Sequence, residues 1–327
     1  MVDRIPSGTR DVLPDEMREL RAMSDRVRGV FERAGYGEVY TPALEYGGTF
    51  ERAELTSTRP AYRLFDEHGD VLVLRSDMTI PIARLVGTRY AHADPPLRFC
   101  YLAHAYRGVR PQRGQSRELL QAGVELVGSP APAGTAEALT VLCGALDAAG
   151  LKTYRVGVGD ASLYPALLQA VGVEPAAREL ILGELVSGDF VGLERELRRL
   201  GVGPEELELL LKVPQTRGGP ELLAGLSGAL EQAGTGMRGV LALLSPQVAQ
   251  RIIFDFGLVR SLGYYTGAVF QVYDPAHGVP IGSGGRYDEL LGRFGRPLPA
   301  VGFALDVERL HIALAGEERG LGAGLGR

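Results

Sequence analysis

Several short stretches of this 327-residue chain carry the residue types that grip a small polar molecule. LRSDMT at 74–79 supplies Asp77 and Thr79, and the segment 106–128 supplies Arg107, Gln121 and Glu125. LVRSLGYYTGAVFQVY at 258–273 brings Arg260, Tyr264 and Tyr265, GSGGRYDELL at 282–291 brings Tyr287, and PAVGFALDVERL at 299–310 brings Arg309. The QAGVE spacing places Gln121 and Glu125 four apart on an apolar strand, so both side chains leave the same face. Taken singly, each reads as structural: a surface Glu, a core Tyr. Together they read as recognition: carboxylates for a cation, an amide and phenols for polar atoms, and planar, permanently charged arginine forks for anionic groups. The isolated histidines, His68, His92, His104, His277 and His311, show no metal-ligand spacing, and neither a catalytic role nor a metal is assigned to any of them.

The positioning elements follow from periodicity. Pro14, Asp15 and Glu16 suit a helix N-terminus, and Met17, Leu20, Met23, Val27, Val30 and Phe31 recur at three- and four-residue spacing up to Gly35. YGEVYTPALE then reads as a strand carrying Pro42. Strands are also expected at 71–77, 97–107, 118–128, 154–160, 252–258 and 268–273, with a helix over 135–150. From Pro175 to Ser245 the texture turns helical with Gly and Pro breaks, and no strand is expected there. The class is therefore α+β, an antiparallel sheet flanked by helices, with a helical insertion at about 175–245. Residues 316–327 read as a flexible Gly-rich tail after a core spanning 1–315.

Composition limits the function classes. The chain is 45% hydrophobic and 23% charged, with a net charge of −5. No apolar run reaches the roughly 18 residues of a membrane span, and no signal core opens the chain, so a cytoplasmic protein without a membrane partner is expected. Cys100 and Cys143 read as buried free thiols. Only Lys152 and Lys212 are lysines, and the acidic balance leans against a nucleic-acid partner, because phosphate neutralisation supplies most of such affinity. No strand–Gly-rich loop–helix phosphate motif is present, and no cofactor is expected.

The order and wording of these motifs resemble the histidine-reading catalytic core of the histidyl-tRNA synthetase family, from about Arg4 to His311. They are most similar to its regulatory paralogues, which serve ATP phosphoribosyltransferase. The resemblance implies a class II synthetase-like fold and a homodimer formed through the first helix and the Pro42 strand. It also implies L-histidine as ligand, with Asp77 receiving its ammonium, Gln121 and Glu125 its amino group and imidazole, and Tyr265 its ring. By the same resemblance Arg107 falls on the arginine that meets the amino-acid carboxylate and the ATP α-phosphate. Arg260 falls on the histidyl-specific arginine, and Arg309 on the one that stacks on adenine.

The departures from that pattern fall on the nucleotide half. The expected Arg-any-Glu reads Arg107–Gly108–Val109, RGLDYYTG reads RSLGYYTG with Gly263 in place of Asp, and GxER reads DVER with Asp306 in place of Gly. Arg107 and Arg309 are then expected to be remnants of a nucleotide site, and no C-terminal anticodon-binding domain is expected. The expectation is a non-catalytic, histidine-sensing subunit that associates with a short-form ATP phosphoribosyltransferase catalytic subunit and does not bind tRNA. A truncated histidyl-tRNA synthetase, or a free-standing histidine-binding module, is the alternative.

Overall fold

The structure is a computed structural model that describes residues 5–53, 61–108, 115–258 and 263–321. Its strands are β1 (Gly37–Glu38), β2 (Leu44–Tyr46), β3 (Arg63–Phe65), β4 (Val71–Leu74), β5 (Leu97–Tyr106) and β6 (Glu118–Val127). They continue with β7 (Arg155–Asp160), β8 (Arg217–Gly218), β9 (Ile252–Asp255), β10 (Ala268–Tyr273), β11 (Gly282–Arg286) and β12 (Ala300–Asp306). The main sheet has nine strands in the order β1-β5-β6-β12-β11-β10-β7-β9-β8, and β2-β4-β3 form a separate sheet. The run from β5 to β7 is antiparallel throughout, whereas β1 joins β5 and β9 joins β7 in parallel.

Two long helices cover one face of this sheet. Helix α1 (Pro14–Arg33) buries Leu20, Met23, Val27 and Phe31, with the Phe31 ring edge-on to Phe303 at 5.8 Å. Beyond α2 (Gly47–Arg52) and α3 (Thr79–Arg89) comes α4 (Ala133–Ala149), buried along most of its length. Alternation along the central strands sorts side chains between that face and the opposite one. Ala122, Val124 and Leu126 of β6 and Val301, Phe303 and Leu305 of β12 join the core under the helices. Gln121, Glu125, Gly302, Ala304 and Asp306 leave on the other side and line a cavity. At roughly 25 cal/mol per Å2, each fully buried Leu, Val or Phe adds about 1.5–3 kcal/mol to the packing that holds these strands in register.

Four sequence expectations need correction. YGEVYTPALE is not one strand: β1 and β2 belong to different sheets, and Pro42 lies between them. The buried Arg75 guanidinium takes the intervening carbonyls, donating from Nη1 to Thr41 O (2.5 Å) and Pro42 O (3.2 Å) and from Nε to His104 O (2.7 Å). The strand at 71–77 stops at Leu74 for the same reason, since Arg75 turns inward as a bridge between segments.

The stretch 175–245 is also not purely helical. After α5 (Leu163–Ala170) it holds α6 (Pro175–Ser187), α7 (Phe190–Arg199), α8 (Pro204–Lys212) and α9 (Glu231–Leu243). It also contributes β8, which pairs antiparallel with β9 at the sheet edge and is fastened by Arg217 Nε to Asp255 Oδ2 at 2.7 Å. A two-residue strand leaves no alternation to read. A short α10 (Pro246–Ala249) precedes β9.

Finally, the described residues do not turn into a flexible tail at 316. Helix α11 (Val307–Glu318) runs past that point, with Gly316 buried. Its Glu317 carboxylate accepts from the backbone N–H groups of Lys152 and Thr153 and from Thr153 Oγ1 at 2.6–3.1 Å.

Candidate functional site

The cavity on the open face of the main sheet measures about 270 Å3. Asp77, Thr79, Arg107, Gln121, Glu125, Tyr264, Tyr265, Tyr287 and Arg309 all line it. Residues that are up to 232 positions apart in sequence, Asp77 and Arg309, are thus brought together by the antiparallel pairing of β6 with β12 between the segment after β4 and the tyrosines around β10 and β11. Arg260 and Val109 lie outside the described residues.

Glu125 is the centre of the polar floor. It is 1% exposed, and its two oxygens accept hydrogen bonds from Thr79 Oγ1 (2.8 Å) and from the Tyr287 hydroxyl. Burial pushes its pKa up to about 8, with the Asp77 carboxylate adding to the rise and the two hydroxyl donors opposing it. Asp77 is raised as well, again chiefly by burial, against the Ile80 N–H that donates to its Oδ1 at 3.1 Å and the nearby charge of Arg107. Two buried carboxylates facing one cavity favour a ligand that brings positive charge or N–H donors. Gln121 Oε1 is a further buried acceptor, without a hydrogen-bond partner among the described residues. Such a group carries a cost of about 1–3 kcal/mol that a donor in the cavity would relieve.

The aromatic wall is built by neighbouring strands. Tyr264 packs against Tyr265 with ring centroids 5.0 Å apart, and against Tyr287 edge-on at 5.8 Å. The GGRYD stretch holds Tyr287 in place. The buried Arg286 pairs with Asp288 at 2.8 Å and reaches Ser129 O, while Asp288 N donates to Thr266 Oγ1 and Asp288 Oδ1 accepts from Ala300 N. Gly285 must lack a side chain, because a Cβ there would lie 2.7 Å from the Tyr265 ring. Burial raises the Tyr264 and Tyr287 hydroxyls well above the ordinary tyrosine range, so they stay protonated and able to donate.

At the other end, Arg107 Nε donates to Ser76 O at 3.2 Å. Arg309 pairs through Nε with Asp306 Oδ2 at 3.2 Å and donates from Nη1 to Pro280 O at 2.9 Å. Gly263 borders a second recess beside Tyr264 and Tyr265, formed with Ser162, Glu289 and Arg293.

Some lining residues were not anticipated from sequence. Tyr101 on β5 is buried, and its hydroxyl donates to Phe303 O at 3.4 Å. Gln271 on β10 and Ser283 on β11 also face the cavity. Gln271 did carry a signal, as the one polar residue within AVFQVY. Gly302 pairs across strands with Glu125, where a Cβ would sit 1.8 Å from Glu125 Oε2, so the absence of a side chain is what admits the carboxylate. Outside the site, Cys100 and Cys143 are buried free thiols whose pKa burial pushes up to about 11. His311 is committed to Glu19 at 2.8 Å. No described helix is long and apolar enough to cross a membrane.

The histidyl-tRNA synthetase family model matches residues 8–310. A relative from Symbiobacterium thermophilum, named ATP phosphoribosyltransferase regulatory subunit, is 41% identical over 95% of this chain and 79% of its own length. Relatives of the same name from Moorella thermoacetica (39%; 95% and 82% covered) and Desulforamulus reducens (37%; 95% and 79%) agree. The chain belongs to the histidyl-tRNA synthetase-like family of ATP phosphoribosyltransferase regulatory subunits. A solved Bacillus halodurans structure, described as an ATP phosphoribosyltransferase regulatory subunit/histidyl-tRNA synthetase, superposes with a TM-score of 0.87 at 31% identity, covering 96% of this chain and 84% of that one. A histidine–tRNA ligase subunit from Alicyclobacillus acidocaldarius gives 0.78 at 33% identity, with 98% of each chain covered. The Nostoc histidyl-tRNA synthetase, at 21% identity with a TM-score of 0.79 and coverage of 98% and 77%, shares the fold. The α+β, class II synthetase-like architecture expected from sequence is the one observed.

Proposed function

We propose that this chain is a non-catalytic regulatory subunit that binds free L-histidine in the sheet cavity. It would transmit that occupancy to a short-form ATP phosphoribosyltransferase catalytic subunit in a hetero-oligomer. The partner would then carry out the first step of histidine biosynthesis, under feedback control through this chain. The observation that carries the reading is the buried Asp77–Glu125 carboxylate pair beside Gln121 Oε1, which has no hydrogen-bond partner among the described residues, walled by Tyr264, Tyr265 and Tyr287. In this reading Asp77 and Gln121 receive the ammonium, Glu125 and Tyr265 the imidazole, and Arg107 the carboxylate. An amino acid lacking the ring nitrogens brings no further N–H donor to the Glu125 carboxylate, which is how a site of this kind discriminates.

A homodimer is part of the reading. The small sheet presents Leu44, Tyr46 and Leu64 on one exposed face, at 45%, 59% and 43% exposure. A contiguous apolar face of this sort suits a second copy.

The competing reading is amino-acid activation, favoured by the placement of Arg107 and Arg309 at the cavity. Calorimetry with L-histidine and histidine-dependent pyrophosphate exchange separate the two. The regulatory reading expects one histidine per chain, weakened by Glu125→Ala, and no exchange. Strong exchange would establish the activating enzyme instead, and absence of histidine binding would refute the ligand assignment.

A further inference from the structure

The arginine end of the cavity has the makings of an anion site. The first turn of α11, a twelve-residue helix, opens towards it, and Arg107 and Arg309 line the same space. Unsatisfied N–H groups and the helix dipole at such an end attract anions, and two guanidinium groups strengthen that attraction.

That position is already filled by the chain itself. Asp306, the residue immediately before α11, accepts from Arg309 N with Oδ1 at 3.1 Å. Its Oδ2 pairs with Arg309 Nε at 3.2 Å, and Arg309 is held in place from the other side by Pro280 O at 2.9 Å. Only 13% of the Asp306 side chain is exposed; burial raises its carboxyl above the ordinary carboxylate value, and the Arg309 N–H and the charges of Arg309 and Arg107 oppose that rise. One carboxylate therefore uses the helix N–H, the Arg309 fork and the local positive potential at once.

We propose that Asp306 is a built-in anion that occupies this subsite and so restricts the cavity to ligands bringing positive charge, shutting out phosphoanions. It acts as a specificity-determining residue, and it contributes nothing to the chemistry of any reaction. Among the described residues the cavity then sets the Asp77 and Asp306 carboxylates against Arg107 and Arg309, with the Glu125 carboxyl able to ionise against a cation. A zwitterion of modest size suits that balance, whereas a triphosphate would place its charge against a fixed carboxylate. The inference rests on the cavity being the ligand site proposed above, and histidine calorimetry on the unaltered chain tests that premise separately.

The probe is inorganic tripolyphosphate, titrated calorimetrically into the full chain and into Asp306→Asn. Asparagine retains a capping oxygen, so the helix start is kept while the charge is removed. Asp306→Ser serves the same purpose if the Asn variant misfolds, as judged by circular dichroism. The unaltered chain should bind tripolyphosphate no tighter than the millimolar range, and the neutral variant at least tenfold tighter. The gain should vanish in Asp306→Asn combined with Arg309→Ala. Tight tripolyphosphate binding by the unaltered chain would overturn the proposal. So would equal affinity in the neutral variant, or a gain that survives loss of Arg309.

Discussion

Glu125 gives the most quantitative handle on the site. Its carboxyl is raised from 4.5 to about 8, first by burial and then by Asp77. In the empty cavity it is therefore about one-tenth ionised at pH 7 and about half ionised at pH 8. A ligand offering an ammonium and an imidazole N–H stabilises the ionised form, so binding should expel close to one proton at pH 7. L-Histidine affinity should rise about fivefold between pH 7 and pH 8, and fall again at higher pH as the ligand loses its own ammonium charge. The imidazole of the ligand is largely neutral over that window, so the slope belongs to the protein. Glu125→Gln keeps the shape, and the Thr79 and Tyr287 hydroxyls can each donate or accept, so the amide fits without an unpaired atom. That variant should bind more weakly and with no pH slope. Stability follows the same linkage. A carboxyl whose folded pKa exceeds its unfolded value binds more protons when folded, so its contribution is intact below pH 4.5 and is lost as pH rises towards 8. The ceiling is about 5 kcal/mol, and Glu125→Gln should gain on the unaltered chain across this window in urea unfolding. Calorimetry in buffers of different ionisation enthalpy measures the expelled proton. A pH-independent histidine affinity, or one that falls from pH 7 to 8, would refute the reasoning.

Gly302→Ala should weaken histidine binding at least tenfold, because its Cβ would sit 1.8 Å from Glu125 Oε2 and 2.5 Å from Val124 O; unchanged calorimetry would show that the carboxylate has room to move. Deleting residues 316–327 should destabilise the chain by about 1.5–3 kcal/mol in urea unfolding, since it removes the Glu317 acceptor of the Lys152 and Thr153 N–H groups, and no change would restore the picture of a dispensable tail. Tyr46→Glu combined with Leu64→Glu should leave histidine binding intact but shift the chain to monomer in sedimentation, and an unaltered mass would remove the small sheet from the dimer interface.

Much of the site is legible before folding because period-two alternation is a strong constraint. Once β6 is read as a strand, Gln121 and Glu125 must share a face, and the apolar Ala122, Val124 and Leu126 say which face goes to the core. What the pattern leaves out is depth. Tyr101 reads as core, and only the approach of β12 makes it part of the cavity wall. β11, GSGGR, lacks the β-branched residues that mark strands, because its glycines are selected by close neighbours such as Tyr265 rather than by propensity. The break in YGEVYTPALE is set by Arg75, thirty-three residues beyond Pro42, which no local window contains. Glu317 looks like part of a solvated tail until its partners at Lys152 and Thr153 are seen.

The central claim is that histidine occupancy of this cavity controls a partner. It is tested most directly by assaying phosphoribosyl-ATP formation by a short ATP phosphoribosyltransferase, alone and mixed with this chain, with and without L-histidine. A coupling of about 1–3 kcal/mol corresponds to a 5- to 150-fold effect. The account predicts weak activity of the partner alone, a gain of that size on adding this chain, and histidine inhibition only in the mixture and not with Glu125→Ala. Partner activity and histidine sensitivity that are the same with and without this chain would contradict it.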